Sequence, residues 1–527
     1  MPPELLNTPE ILDVPEIDNP TEPPPAAVPN DPRPRVRLPG DNYLLSDTAA
    51  ELADLLKDKD LFRRGDLVFH ARKAEDGLLP MSPETFRTWC EQYLFCYRVR
   101  MTPQGVLVTP LRTMSVADAE GVLASPQFLS RLRPVERFNP VRMPVRRASG
   151  EITLLPEGYD AESLTFTATC GIELPDLPLE EARQVIENVL KEFGFADPGR
   201  SKAVVISAML TVFGIGLLPP LALPPAFIFL ANREGAGKTL LAKVCTIPVL
   251  GYAPTAAWPR NDEEMDKRLL VSVMTGLPVL VLDNVRSHIA SAPLELFLSN
   301  SHFKGRILGE SKEFMGRKST VVFLTGNGAT VSPDMRRRSL FVELFLGVER
   351  AEDRVFQRRL EAPLLLKHRA RILGALWSLI RAWDQAGRPK PSRSNSSFSD
   401  WSDLFGGIVE FAGFGCPLET PQIEGAADTD LADMRALVER MAEGGQSLTF
   451  TEVVGLAQEA GLFTRLIPDE GEPDRPVRVA FSAALLRYDR CMIGDCRFMI
   501  SGKGHRRRYQ AEQIMPHVKA GGDLFRE

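Results

Sequence analysis

The chain has 527 residues, room for three or four domains that each bury a core of their own. With 44% hydrophobic and 25% charged residues it has the composition of a globular protein, not of a disordered, fibrous or membrane-embedded one. A net charge of −6 argues against nucleic acid being drawn to the whole surface, so any DNA binding has to come from local basic patches, for instance inside a ring channel.

Residues 1–40 hold twelve prolines, a run of acids and little periodicity, and read as a disordered or extended tail. The first 31 residues carry seven acids and no Lys or Arg, which gives neither a secretory n-region nor a transit peptide. The seven cysteines form no C-x-x-C pair, so the expectation is a reduced, cytoplasmic protein. From Asp41 to about Phe166 a small α+β domain is expected, with helices over Ala49–Lys57 and Ser82–Tyr93 and strands at Gly65–His70, Tyr97–Arg100 and Gly105–Val108. Its arginines Arg131, Arg133, Arg137, Arg142, Arg146 and Arg147 could touch phosphates, although a solvated face is the plainer reading. This domain has no Cys/His cluster of the kind a primase needs.

Leu179, Ala182, Val185, Ile186, Val189, Leu190 and Phe193 keep helical spacing, inside a region, 167–225, that reads as helical. From Ala203 to Ala231 there is no charged residue, but Pro219-Pro220 and Pro224-Pro225 cut the run short of a membrane span. It reads as a buried helix, a turn and a core strand.

That strand feeds Asn232-Arg233-Glu234-Gly235-Ala236-Gly237-Lys238-Thr239, a phosphate-binding loop whose first glycine is replaced by Asn232, a residue that tolerates positive φ. The spacing aims backbone N–H groups at phosphate oxygens, sends Lys238 to the β/γ-phosphates of ATP, and gives Thr239 to Mg²⁺, with Leu240 opening the helix behind them. Leu277–Asn284 is an apolar run ending in Asp283, a second Mg²⁺ ligand. Thr320–Leu324 leads into Thr325-Gly326-Asn327-Gly328, which puts Asn327 at the strand edge where ligands bind. Arg336, Arg337 and Arg338 follow. Such a triplet is ordinarily a solvated face, but its place after the third strand favours an arginine finger acting on a neighbour's nucleotide.

Leu365 to Trp383 mark a further helix within 351–385, residues 386–425 read as a linker, and 426–527 as a winged helix. In that last domain Leu431–Ala442 is the first helix, Thr449-x-x-Glu452 caps the second, Phe481–Arg490 is the recognition helix, and a strand Cys496–Ile500 leads to a wing ending in a strand His505–Gln510. Lys503, Arg506 and Arg507 on the wing suit DNA phosphates, with protein docking the alternative.

The ordered set of phosphate loop, Leu282-Asp283-Asn284-Val285, Arg306-Ile307-Leu308-Gly309, Thr325-Gly326-Asn327 and Asp334-x-x-Arg337-Arg338 resembles superfamily 3-type AAA+ helicases, closest to the helicase part of the primase-helicases of phages, plasmids and mobile elements. Two positions depart from that pattern: Gly328 stands for a second Asn, and Asn284 for the acid that polarises water in many AAA+ ATPases. The resemblance implies an α/β fold with an AAA+ core of about 226–350, a helical collar before it, and an ATP- and Mg²⁺-dependent helicase. It further implies a homo-oligomeric, hexameric ring that moves 3′ to 5′ on single-stranded or forked DNA and is served by a separate primase or polymerase. A hairpin carrying Lys304, Arg306, Lys312, Arg317 and Lys318 would grip the DNA. Packing of the helix before the core on its own ATPase domain is as open as the collar. Two rival functions stay open: an AAA+ remodeller of another replication protein, and a nucleotide-gated DNA-binding initiator that hydrolyses little.

Overall fold

Strands that carry unbroken apolar runs have to bury both faces, and they do so here in a five-stranded parallel sheet. Its strands are β1 (Ala226–Ala231), β2 (Thr255–Ala257), β3 (Val279–Val285), β6 (Val321–Asn327) and β7 (Ser339–Leu344), in the order β2-β3-β6-β1-β7. All six residues of β1 are buried. Helix α1 (Lys238–Leu250) follows β1 directly. An antiparallel hairpin, β4 (His302–Arg306) with β5 (Glu313–Arg317), stands between β3 and β6 in sequence. The protein is thus a mixed α/β chain built on a parallel sheet. The computed structural model describes residues 32–71, 77–103, 105–111, 113–197, 199–231, 235–285, 288–307, 313–327, 331–345, 361–419, 429–464, 466–468, 471–486, 488–489, 492–493, 496–502 and 504–513.

One apolar core runs from Val141 to Phe414 and takes in the sheet. The apolar helix Arg200–Gly214 continues as a helical turn to Leu217, and this stretch is long and apolar enough to cross a membrane, but 94% of it is buried inside the fold. The helix Leu179–Leu190 puts Ala182, Ile186 and Leu190 into the same core, so the packing alternative describes its apolar face. Residues 396–414 are not a linker. Phe398, Trp401, Phe405, Ile408 and Val409 are buried against the sheet side of the core, with the Trp401 ring 6.0 Å from Phe227 and its Nε1 donating to the Thr211 hydroxyl at 2.8 Å. Their spacing is helical, and the Ser/Asn residues between them obscure it. The expected helix through Leu365–Trp383 breaks at His368 into Ala362–Lys367 and Arg369–Gln385.

Contacts divide the chain into two compact units, the first ending at Pro134 and the second holding 71–78 and everything from Val135. The α+β unit therefore stops well before 166. It contains helices Leu45–Leu56 and Pro83–Cys90, and a sheet in which Arg35–Arg37 and Gly105–Leu111 flank Phe95–Thr102. Ser82 caps the second helix, its hydroxyl accepting from the Thr85 N–H at 3.2 Å with Pro83 next in line.

Residues 429–513 bury a separate apolar cluster around Leu437, Val453, Phe481 and Phe498. Helices Thr429–Gly444, Phe450–Glu459 and Arg475–Leu486 precede an antiparallel sheet of Met492–Ile493, Cys496–Ser501 and Arg508–Gln513. The third helix starts six residues before the expected Phe481, because the Asp474 carboxylate accepts from the Val477 N–H at 3.0 Å and acts as its cap. The last strand starts at Arg508 and not at His505, since Gly504–Arg506 form a helical turn first.

Candidate functional site

The loop after β1 turns through Gly235 at φ 76° and Gly237 at φ 98°, left-handed values that a side chain resists. A Cβ on Gly237 would meet only the Phe193 ring at 3.4 Å, so backbone conformation, not space, requires the glycine. Ala236 is buried, Lys238 opens α1 with 8% of its surface exposed, and Leu240 packs on the apolar core. Asn232, Arg233 and Glu234 lie outside the described residues.

The strongest geometry lies beside this loop. The Thr239 hydroxyl donates to Asp283 Oδ1 at 2.9 Å. Thr325 Oγ1 donates to the same oxygen and accepts the Asn284 N–H at 3.0 Å, using the hydroxyl in both its roles. The register of β3 against β6 shifts between Leu282 and Val285, and within that bulge Asn284 takes φ 59°. The bulge turns Asp283 toward Thr239 and leaves the Asn284 side chain exposed. The sequence marks Thr325 only as the first residue of Thr325-Gly326-Asn327; its hold on Asp283 comes from its place on β6, opposite Phe229 of the phosphate-loop strand. Asn327 pairs with Ala231, so its backbone borders the loop, while its side chain lies outside the described residues.

A hydroxyl and a carboxylate sharing a hydrogen bond are hard oxygen donors of the kind Mg²⁺ accepts. Among the described residues no group of three His, Cys, Asp or Glu side chains could hold a metal by itself. The donor set fits a cation that phosphate oxygens and water complete.

Arg337 and Arg338 stand elsewhere. The Arg338 carbonyl accepts the Ala226 N–H at 3.0 Å, at the start of β1, whereas the loop follows its end. Five strand steps at about 3.3 Å separate them from their own loop by roughly 17 Å. Arg337 is 54% exposed and pairs with Asp334 at 2.7 Å.

The hairpin corrects part of the basic set. Phe303 and Phe314 anchor it, and Lys304 and Arg306 are exposed, but Lys304 pairs with Glu313 at 2.6 Å. Arg317 is half-buried at the base, opposite His302. Lys318 is not a tip residue. It is buried, its Nζ donates to the Phe297 carbonyl at 2.6 Å, and burial pushes its ammonium down to about 7. The turn itself, with Lys312, lies outside the described residues. So does Lys503, while Arg506 is exposed and Arg507 donates to Ser482 Oγ at 3.2 Å.

No family model matches the chain, and no curated protein matches it. Among solved structures, the apo A form of the NrS-1 C-terminal region is similar at 9% identity and TM-score 0.40, over 88% of this chain and 98% of that one. A second structure of that region, residues 305–718, is similar at 9% identity and TM-score 0.38, over 89% and 99%.

Proposed function

We propose that the chain is an ATP-dependent DNA helicase or translocase with an AAA+ core and a winged-helix C-terminal domain, working as a homo-oligomeric ring in the replication of a phage or mobile element. The observation that carries this reading is the Thr239–Asp283–Thr325 corner beside the phosphate loop, at the C-terminal edge of the parallel sheet. Lys238 would hold the β/γ-phosphates of ATP. Thr239 and Asp283 would hold Mg²⁺, which spreads the charge of the transferred phosphoryl group. Thr325 fixes the Asp283 carboxylate, and Asn327 would order an attacking water. Arg337 and Arg338 are too far from their own loop to serve it, which supports a role on the next subunit's nucleotide. Such an arginine is worth roughly 10³- to 10⁵-fold in rate, so hydrolysis requires assembly. The exposed hairpin residues Lys304 and Arg306 would face single-stranded or forked DNA, and a separate primase or polymerase would complete the replication machinery.

A protein-remodelling ATPase is the second reading, favoured by the neutralised Lys304 and the buried Lys318. Phosphate release with and without single-stranded DNA separates the two. The helicase reading expects several-fold stimulation, and a rate indifferent to DNA favours the remodeller. In the same assay Arg337→Ala or Arg338→Ala mixed with Lys238→Ala should regain activity at hybrid interfaces. No recovery despite subunit exchange counts against a shared site.

A further inference from the structure

The third helix of residues 429–513, Arg475–Leu486, turns Phe481, Ala484 and Leu485 inward and leaves its other face in solvent. On that face Arg475, Pro476, Val479, Ala480, Ala483 and Leu486 are exposed, Val479 at 64% and Leu486 at 41%. Steps of four and three residues set Val479, Ala483 and Leu486 in one line, with Ala480 beside it. This is the helix expected to read DNA, yet beyond Arg475 no side chain of the stripe can donate or accept a hydrogen bond. Base edges are told apart by donors and acceptors, and only a thymine methyl would gain from such a surface.

One flank of the stripe is basic. The Arg478 guanidinium lies over the Phe450 ring at 5.3 Å, and Arg507 donates to Ser482 Oγ at 3.2 Å, with exposed Arg506 next to it in the chain. The carboxylates at the two ends of the helix are engaged by backbone: Asp474 Oδ1 accepts the Val477 N–H at 3.0 Å, and Asp489 Oδ1 the Ile500 N–H at 2.7 Å. Among the described residues there, that sets Glu472 against Arg475, Arg478, Arg506 and Arg507. Beside Arg478 a cleft of about 300 Å³ opens toward the helix Phe450–Glu459, lined by Phe450, Val454, Gly455 and Pro473. Gly455 stands inside that helix, where glycine is a poor former, and a Cβ on it would meet nothing within 4 Å. Packing therefore does not call for the glycine, and its missing side chain deepens the cleft.

We propose that this stripe and the cleft beside it dock an acidic amphipathic helix of a partner protein. The partner's apolar face covers Val479, Ala483 and Leu486, one of its apolar side chains enters the cleft, and its carboxylates meet Arg475, Arg478 and Arg507. The small side chains of Ala480 and Ala483 let the two helices approach closely. Charge selects the occupant. Two copies of this chain paired through the stripe would set arginine against arginine, which disfavours a second copy. DNA would satisfy the arginines but leave the apolar line without use. The inference does not depend on ATP hydrolysis.

Fluorescence anisotropy with the full chain tests it, using as probe a labelled, end-capped peptide of repeated Glu-Leu-Leu-Glu-Ala-Leu-Glu heptads and a control peptide with Lys for every Glu. Wild type should bind the acidic peptide at least tenfold more tightly than the control. The double variant Val479→Ser/Leu486→Ser should lose at least tenfold in affinity for the acidic peptide, and Arg475→Glu several-fold. All three side chains are exposed, so the core is untouched by these changes. No binding of the acidic peptide, equal binding of the two peptides, or an affinity indifferent to the serines overturns the docking surface. A random-sequence DNA duplex decides between partner classes: a duplex affinity that falls in the serine variant gives this face to DNA and overturns the proposal, whereas an unchanged one supports it.

Discussion

The Thr239–Asp283–Thr325 corner sits at the edge of the parallel sheet and the β4–β5 hairpin packs on the helix Asp262–Thr275, and the two are built in opposite ways. In the corner every group is set by backbone: a left-handed loop, a helix start, a bulge and two strand ends bring Thr239, Asp283 and Thr325 onto one oxygen. In the hairpin the backbone places charges that the side chains then cancel or bury, as Lys304 does on Glu313 and Lys318 under Phe297. A site whose residues end apolar strand runs survives reading in one dimension. A site made by counting positive residues does not, because burial and pairing decide how many of them reach solvent.

Substitutions at the two places should differ accordingly. Asp283→Ala removes the shared acceptor together with the proposed Mg²⁺ ligand, and hydrolysis measured by phosphate release should fall by at least ~10²-fold. Thr325→Val keeps the shape but leaves the carboxylate and the Asn284 N–H without their partner, and should slow hydrolysis roughly tenfold, the equivalent of about 1.4 kcal/mol. A full-rate Thr325→Val enzyme would remove that residue from the site.

In the hairpin, Lys318 should be felt as stability and not as turnover. An unfolded lysine holds its proton to about pH 10, whereas the folded one releases it above about 7. Between those values the unfolded chain binds the extra proton, so this group makes stability rise with pH, by at most about 1.4 kcal/mol per pH unit. Below about 7 both states carry the proton and the burial cost is felt in full. Lys318→Met should therefore be more stable than wild type at pH 6.5, with the advantage shrinking toward pH 9 in urea unfolding. A pH-independent difference would contradict the burial. Arg306→Ala should have the smallest effect: basal ATPase unchanged, and the slope of log K against log salt for single-stranded DNA lowered by roughly 0.7 for each subunit engaged.

The same contrast explains what could be read in advance. Apolar runs mark β1, β3 and β6 and so deliver Lys238, Thr239 and Asp283 to one edge, and the Ser82 and Thr449 caps stand where their side chains dictate. The role of Thr325 escaped because it lies in which strand the residue faces, a property of register and not of composition. Residues 396–414 escaped because Ser and Asn suggest a loop, while Phe398, Trp401 and Phe405 were sparse signals whose burial depends on a distant partner, Phe227. Arg137 could be seen only as one basic residue among several. Its burial beside Asn139 and Thr167 is a tertiary fact.

The most direct test of the central claim is Mg²⁺-dependent phosphate release from ATP by purified wild type and Lys238→Ala. Wild type should turn over many times and only with Mg²⁺, and the variant, folded to the same thermal midpoint within about 2 °C, should lose at least ~10²-fold in rate. Equal rates in the two proteins, or turnover indifferent to Mg²⁺, would contradict the assignment of the loop and of the Thr239–Asp283 corner beside it.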